Sequence, residues 1–252
     1  MPGDNLTRPS RIRHWQAALA AVLLPCLCFA LVVRSTDRMF LDSGVSRPDK
    51  RIAAIAIRDN VSPFEKWGSK QFTWGYLQKY YGRFAYFTQS SIIYPASSPR
   101  IDQKAEFLDC LAELLSQCDQ VDIFLLAHGN SYVYWVDSLP PQLTSKIRLV
   151  YNTGCYDSAQ AAHWLSLGAK TYIGHPDVCI SPVFYVYFLR RWARGETAGQ
   201  ATSEANSLVG PAIRLGNSLC LQQFGNTDEL WRKTIAVCFG DSGVTIQGGP
   251  GR

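Results

Sequence analysis

Residues 121–158 constrain this chain more than any other stretch. Two apolar blocks lie close together there, and each ends on a chemically loaded residue. VDIFLLAHGN carries His128-Gly129, and KIRLVYNTGC carries Gly154-Cys155. A short run of Ile, Phe, Leu and Val bounded by turn residues reads as a strand buried on both faces. Two such strands present an imidazole and a thiol at one edge of a parallel sheet, the edge where open α/β sheets place their sites. The sixteen-residue connection from Asn130 to Ser145, NSYVYWVDSLPPQLTS, contains Pro140-Pro141, so the spacing leaves room for at most one short helix.

The rest of the chain supplies the partners that such a sheet needs. RIAAIAIRDN (51–60) reads as a first strand, and a second falls in RFAYF (83–87) or SIIYP (91–95). Between them, residues 61–82 carry an aromatic series interrupted by Gly68, Gly75 and Gly82, which reads as a broken helix with an aromatic face. QKAEFLDCLAELLSQC (103–118) puts Phe107, Leu111, Leu114 and Cys118 on one side of an amphipathic helix. Cys110 and Cys118 are expected to pack there as small apolar residues.

Beyond Cys155, SAQAAHWLSLG (158–168) reads as a helix stopped at Gly168, followed by a strand in AKTYIG (169–174). A loop, HPDVCISP (175–182), leads to an aromatic helix at 183–195 and an Ala-rich helix from Thr197 to Leu208. The last apolar text, TIAVCFGDSGVTI (234–246), reads as a strand pair broken at Gly240. Strands and helices alternate throughout, which predicts an α/β fold with helices on both faces of a mostly parallel sheet.

Residues 1–14 form a polar, basic tail, and residues 15–33 run for nineteen positions without a charge, long enough to span a bilayer as a helix. We read this segment as an uncleaved single-pass anchor. A cleaved signal peptide has the same opening and would make the domain secreted or periplasmic. Arginines flank the segment on both sides, so the charge rule does not orient it. Residues 34–50 read as a tether, 51–246 as the globular domain and 247–252 as a tail.

Composition enters as a filter. A formal net charge of +5 without Lys/Arg blocks argues against nucleic acid as a partner. Of eight cysteines, Cys26 and Cys28 lie in the apolar N-terminal segment and the other six form no CxxC pair, so neither a zinc ribbon nor a disulfide-dense miniature is indicated. Cys220 and Cys238 would be able to bridge in an exported domain. No metal spacing is recognised around His163, His175 and Cys179, and no cofactor is expected.

A cysteine attacks as thiolate, and a neighbouring imidazole can take its proton or stabilise its charge. The oxyanion that follows needs backbone N–H donors already aimed at it. Gly129 and Cys155 are placed to supply two of them. The bland alternative is a strand-capping His128 and an inert strand-end Cys155.

A hydrophobic block ending in His-Gly, then a second ending in a small residue and Cys, resembles the clan CD cysteine peptidases: caspases, legumain, gingipains, separase and the bacterial CHAT domains. The resemblance covers residues 51–246 and is nearest to the CHAT and gingipain branches, whose segment order GAKTYIGH, FYVYFLRRWARGETAGQATSEAN and CFGDSGV follows. It implies a caspase-like three-layer α/β/α fold. It also implies that His128 is the general base, Cys155 the nucleophile, Gly129 and Cys155 the oxyanion hole, and a polypeptide the substrate.

Gly154 stands where Ala, Ser, Asn or Asp is usual in that group, and Ser158 where Gly often follows the nucleophile. The 27 residues from His128 to Cys155 are a short separation for it. Thr153 occupies the position two before the Cys at which some members carry an acid for a basic P1 side chain. Asp157 and Asp177, on nearby loops, are the candidates to replace it in the substrate pocket.

Other readings remain beside the endopeptidase: a non-catalytic caspase-like scaffold or partner-binding domain at a membrane, and an acyl-transfer hydrolase on a non-peptide substrate. Gly240-Asp241-Ser242-Gly243 also looks like the nucleophile motif of chymotrypsin-like serine peptidases. Only ten residues follow Ser242, too few to complete that fold.

Overall fold

The computed structural model describes residues 51–60, 75–90, 103–126, 128, 130–179, 181–219 and 226–247. The chain divides into Met1–Val45 and Ser46–Arg252, and the described residues all belong to the second unit. The expected anchor at 15–33, the alternative strand at 91–95, Gly129 and Cys220 lie outside them. Among the described residues no helix is long and apolar enough to cross a membrane.

Six strands form one sheet: β1 (Ile52–Asn60), β2 (Arg83–Ser90), β3 (Gln120–Leu126), β4 (Ile147–Asn152), β5 (Thr171–Gly174) and β6 (Val237–Gly240). They lie in the order β2-β1-β3-β4-β5-β6, parallel except for β6, which runs antiparallel to β5. The second strand is therefore the 83–90 candidate. The chain first moves outward from β1 to β2 and then crosses back to β3. The strand order thus reverses between β1 and β3, and the rule for open α/β sheets puts ligands at the carboxyl ends beside such a point.

Residues of alternate parity on each strand serve opposite faces. On one face Ile55, Ile57, Ile123 and Leu125 pack with Phe107, Leu111 and Leu115 of α2 (Lys104–Gln117) and with Trp164 of α5 (Ala161–Ser166). On the other, the Phe124 and Tyr151 rings meet Tyr185 and Phe188 of α6 (Ser181–Ala193) edge-on or tilted. Fully burying one such side chain is worth about 1.5–3 kcal/mol, which is why these two layers fix the sheet. Cys118 is buried in the first of them and Cys110 packs partly buried against it.

The remaining helices are α1 (Gly75–Tyr80), α3 (Val133–Val136), α4 (Pro141–Thr144), α7 (Ala198–Leu219) and α8 (Thr227–Thr234). Three sequence expectations change. The link from β3 to β4 holds two four-residue helices, not one, because Pro141 starts the second at a first-turn position that needs no N–H. Helix α7 runs past Leu208 to Leu219 with Pro211 inside it, and Val209 and Ile213 remain buried.

The C-terminal strand pair is a single strand. After Gly240 the backbone turns, with the Asp241 amide bonded to the Lys170 carbonyl at 2.9 Å and the Gly243 amide to Asp241 Oδ1 at 2.8 Å. The carbonyls of Ser242 and Val244 then accept N–H groups from the first turn of α7, and those of Thr245 and Ile246 accept from Arg148. Those groups have no ladder left to join. Gly240 pairs with Thr171, at the start of β5, so Ser242 follows it at the sheet edge opposite Cys155.

At the amino ends of β3 and β4 a charged cluster is sealed in the interior. Arg148 Nε and Nη2 donate to the two oxygens of Asp122 at 2.9 and 2.5 Å, and Nη1 donates to Gln120 and to the carbonyls of Thr245 and Ile246. Tyr81 donates to Asp122, Trp192 donates to Tyr81, and the guanidinium lies over the Trp192 ring. Burial works against the Arg148 charge, but Asp122 more than offsets it and holds the Arg148 pKa above its ordinary value.

Candidate active site

The register of β3 against β4 decides where the two expected catalytic residues fall. Leu125 pairs with Asn152. His128 is three residues beyond Leu125, and Cys155 three residues beyond Asn152. Neighbouring strands lie ~4.8 Å apart, so parallel chains leaving the sheet in step emerge side by side at its carboxyl edge. Thr153 maintains the step: its amide and its hydroxyl both donate to the Leu125 carbonyl, at 2.9 and 3.0 Å.

Side-chain amides then tie the two loops together. Asn130 Nδ2 donates to Asn152 Oδ1 at 2.9 Å and to Asp157 Oδ2 at 2.8 Å, and Asn152 Nδ2 returns a bond to Asn130 Oδ1 at 3.3 Å. Asn152 Oδ1 also accepts the Gly154 amide at 3.0 Å. Gln160 Nε2 donates to the Asn130 carbonyl and to Asp157 Oδ1. A third strand contributes through Asp59 at the end of β1. Its carboxylate accepts the His128 amide at 3.0 Å and the Tyr132 hydroxyl at 3.1 Å. The His loop is thus anchored across the β1/β3 reversal on one side and to the Cys loop on the other.

Cys155 and His128 are each half-buried. Cys155 Sγ accepts the Cys179 amide at 3.5 Å. Tyr156 follows with φ 62°, the one left-handed non-glycine among the described residues. That conformation costs a side-chain-bearing residue roughly 1–2 kcal/mol, and here it turns the chain sharply just after the thiol. The amides of Tyr156 and Ser158 bond to the carbonyls of Asp177 and His175 at 2.9 and 3.1 Å, fixing the turn against the loop after β5.

Of the two acids proposed for a substrate pocket, Asp157 is turned inward and only 4% exposed. Burial pushes its carboxyl up to about 7, against the opposing hydrogen bonds from Asn130 and Asn152. Asp157 also accounts for Gly154. A β-carbon added there would lie 1.6 Å from Asp157 Oδ2 and 3.0 Å from Asn130 Nδ2, so the carboxyl occupies the space a side chain at 154 would need.

Asp177 is half-buried at the rim, where its Oδ1 accepts the Val178 amide at 2.8 Å. A hydrogen bond from the exposed Tyr156 phenol to Asp177 raises that phenol's pKa. Gly129, the other expected oxyanion donor, is outside the described residues.

His175 is buried, with Nδ1 2.9 Å from the Thr234 carbonyl, and burial lowers its pKa to about 4. His163 lies near the surface beside Asp137 and Tyr134. Among the described residues no group of three His, Cys, Asp or Glu is arranged to hold a metal ion.

Asn130, Asn152, Asp59 and Cys179 are the site components that sequence reasoning missed. The two asparagines sit inside HGN and YNTGC, and only the strand register reveals that they meet. Asp59 was legible as a strand-end acid, but its partner depends on β1 lying next to β3. Compared with protein families, with curated proteins and with solved structures, the chain finds no match.

Proposed function

We propose that residues 51–246 are a caspase-like cysteine endopeptidase domain that works through a Cys155–His128 dyad, tethered to a membrane by residues 15–33. The observation that carries this reading is the in-step exit of His128 and Cys155 from adjacent parallel strands, with Asn130 bridging their loops. A mostly parallel sheet with helices on both faces agrees with it.

In this mechanism His128 accepts the Cys155 proton, and the thiolate attacks the scissile carbonyl of a bound polypeptide. The Cys155 amide donates to the developing oxyanion. The imidazolium then protonates the leaving amine, and water attacks the acyl-enzyme with His128 again as base. The Cys179 amide donates a hydrogen bond to the Cys155 sulfur and holds it in place. Asp59 grips the His128 main chain and so fixes where the loop carries the imidazole.

The test is a peptide-library cleavage assay on the full chain and on Cys155→Ala. Activity is expected to fall by about 10³-fold or more in the variant with the melting temperature preserved. Equal cleavage by both proteins would overturn the assignment. Cleavage by neither, with no selective labelling of Cys155 by a thiol-directed peptidyl electrophile, would favour the non-catalytic scaffold.

A further inference from the structure

Cys155 has a second cysteine beside it that the peptidase chemistry does not use. The segment after β4 and the loop after β5 run antiparallel at hydrogen-bonding distance: the Tyr156 amide bonds to the Asp177 carbonyl and the Ser158 amide to the His175 carbonyl. Continuing that pairing back through Cys155 and forward through Cys179 sets the two cysteines diagonally across from each other. The Cys155 sulfur already rests 3.5 Å from the Cys179 amide nitrogen. Disulfides close between backbones at this kind of separation, with Cα atoms ~4.4–6.8 Å apart.

Both residues are half-buried and both thiols are free. The Cys179 thiol is withdrawn from water. Desolvation raises its pKa well above the ordinary value, and negative charge on Cys155 and Asp157 raises it further. It therefore stays protonated under conditions in which its neighbour reacts, which divides the pair into an attacking sulfur and a resolving one.

We infer that Cys155 and Cys179 form a reversible oxidative modification site, in which a hydroperoxide converts the nucleophile into a Cys155–Cys179 disulfide and silences the dyad. Cys155 attacks the peroxide oxygen, giving a sulfenic acid and water. The Cys179 sulfur then attacks the sulfenic sulfur, and its proton leaves with the displaced hydroxyl as a second water. Two thiols and one hydrogen peroxide thus give one disulfide and two waters, and a dithiol reverses the bond by exchange. Without the Cys179 thiol the sulfenic acid is not resolved in this way and proceeds with more peroxide to the sulfinic acid, which dithiols do not reduce. The loss of activity, though not the bond itself, rests on the peptidase reading.

The experiment treats the full chain with hydrogen peroxide, blocks remaining thiols and maps the tryptic peptides under non-reducing conditions. Residues 149–170 and 171–190 form separate tryptic peptides with one cysteine each. The expected product is their crosslinked pair, abolished by dithiothreitol and absent in Cys179→Ser, where Cys155 appears as sulfinic acid. Cys155 oxidised to sulfinic acid in the unaltered chain as fast as in Cys179→Ser, without the crosslink, would overturn the inference. Peptidase activity lost to peroxide should return with dithiothreitol in the unaltered chain and stay lost in Cys179→Ser. Because the crosslink is read by mass, a crosslinked protein that never cleaves peptides refutes the peptidase reading alone, and an active enzyme without the crosslink refutes this one alone.

Discussion

Strands β3 and β4 carry a polar cluster at each end, and the two clusters differ in what they leave unspent. At the amino ends, Arg148 and Asp122 are sealed in, and the guanidinium nitrogens are committed to Asp122, Gln120 and two main-chain carbonyls. At the carboxyl ends, Asn130, Asn152, Asp157 and Gln160 bind one another, yet the residues they frame, His128 and Cys155, stay half-buried at the edge. A saturated network holds architecture. A network that ties two loops together while presenting two reactive groups is where chemistry can be placed.

The amino-end cluster is the place to break that contrast most forcefully. Arg148→Met strands the Asp122 carboxylate in the interior and also releases Thr245 and Ile246. Removing one partner of a buried pair costs about 3–5 kcal/mol, to be read as a lower urea midpoint. A loss under about 1 kcal/mol would mean that the cluster is not structural. Asn130→Ala should cost less, about 1–3 kcal/mol for partners left unsatisfied, while, on the proposed peptidase reading, lowering peptide cleavage disproportionately because the two loops lose their bridge. If stability falls and the catalytic rate does not, the bridge has no role in aligning the dyad.

Gly154→Ala sharpens the comparison further. The added methyl displaces the Asp157 carboxyl, and overpacking of this kind costs about 1–3 kcal/mol, visible as a reduced melting temperature.

A further effect is a pH dependence. The Asp157 pKa is raised to about 7 in the folded chain, above its unfolded value, so the folded state holds the proton more tightly. Its contribution to stability is full below the unfolded pKa and is lost as pH rises towards about 7. His175, lowered to about 4, acts oppositely in acid, so the measurement is the difference between the unaltered chain and Asp157→Asn across pH 4–8. The unaltered chain should lose stability relative to the variant as pH rises, and a flat difference would place the titration elsewhere.

Much of the fold was legible because buried parallel strands leave mostly apolar text. IAAIAI, VDIFLL and IRLVYN fall inside β1, β3 and β4, and the 3.6-residue stripe of Phe107, Leu111 and Leu114 falls inside α2. The strand predicted at 241–246 failed because VTI has strand-like side chains, but its carbonyls are claimed by Arg148 and by the first turn of α7. Sequence pattern does not register such distant competition. The same limit applies at the site. His128 and Cys155 stood out because of where their strands end, whereas Asn130, Asp59 and Cys179 acquire meaning only through register and strand order.

The carboxyl lying over Gly154 also sets an order for sequence change. Position 154 gains a side chain only if the Asp157 carboxyl moves aside, since both would claim the same volume. A lineage acquiring Ala or Ser before the cysteine therefore gains by shortening residue 157 as well. Descendants of this chain should show the two positions tending to vary as a pair, with bulk favoured on one or the other.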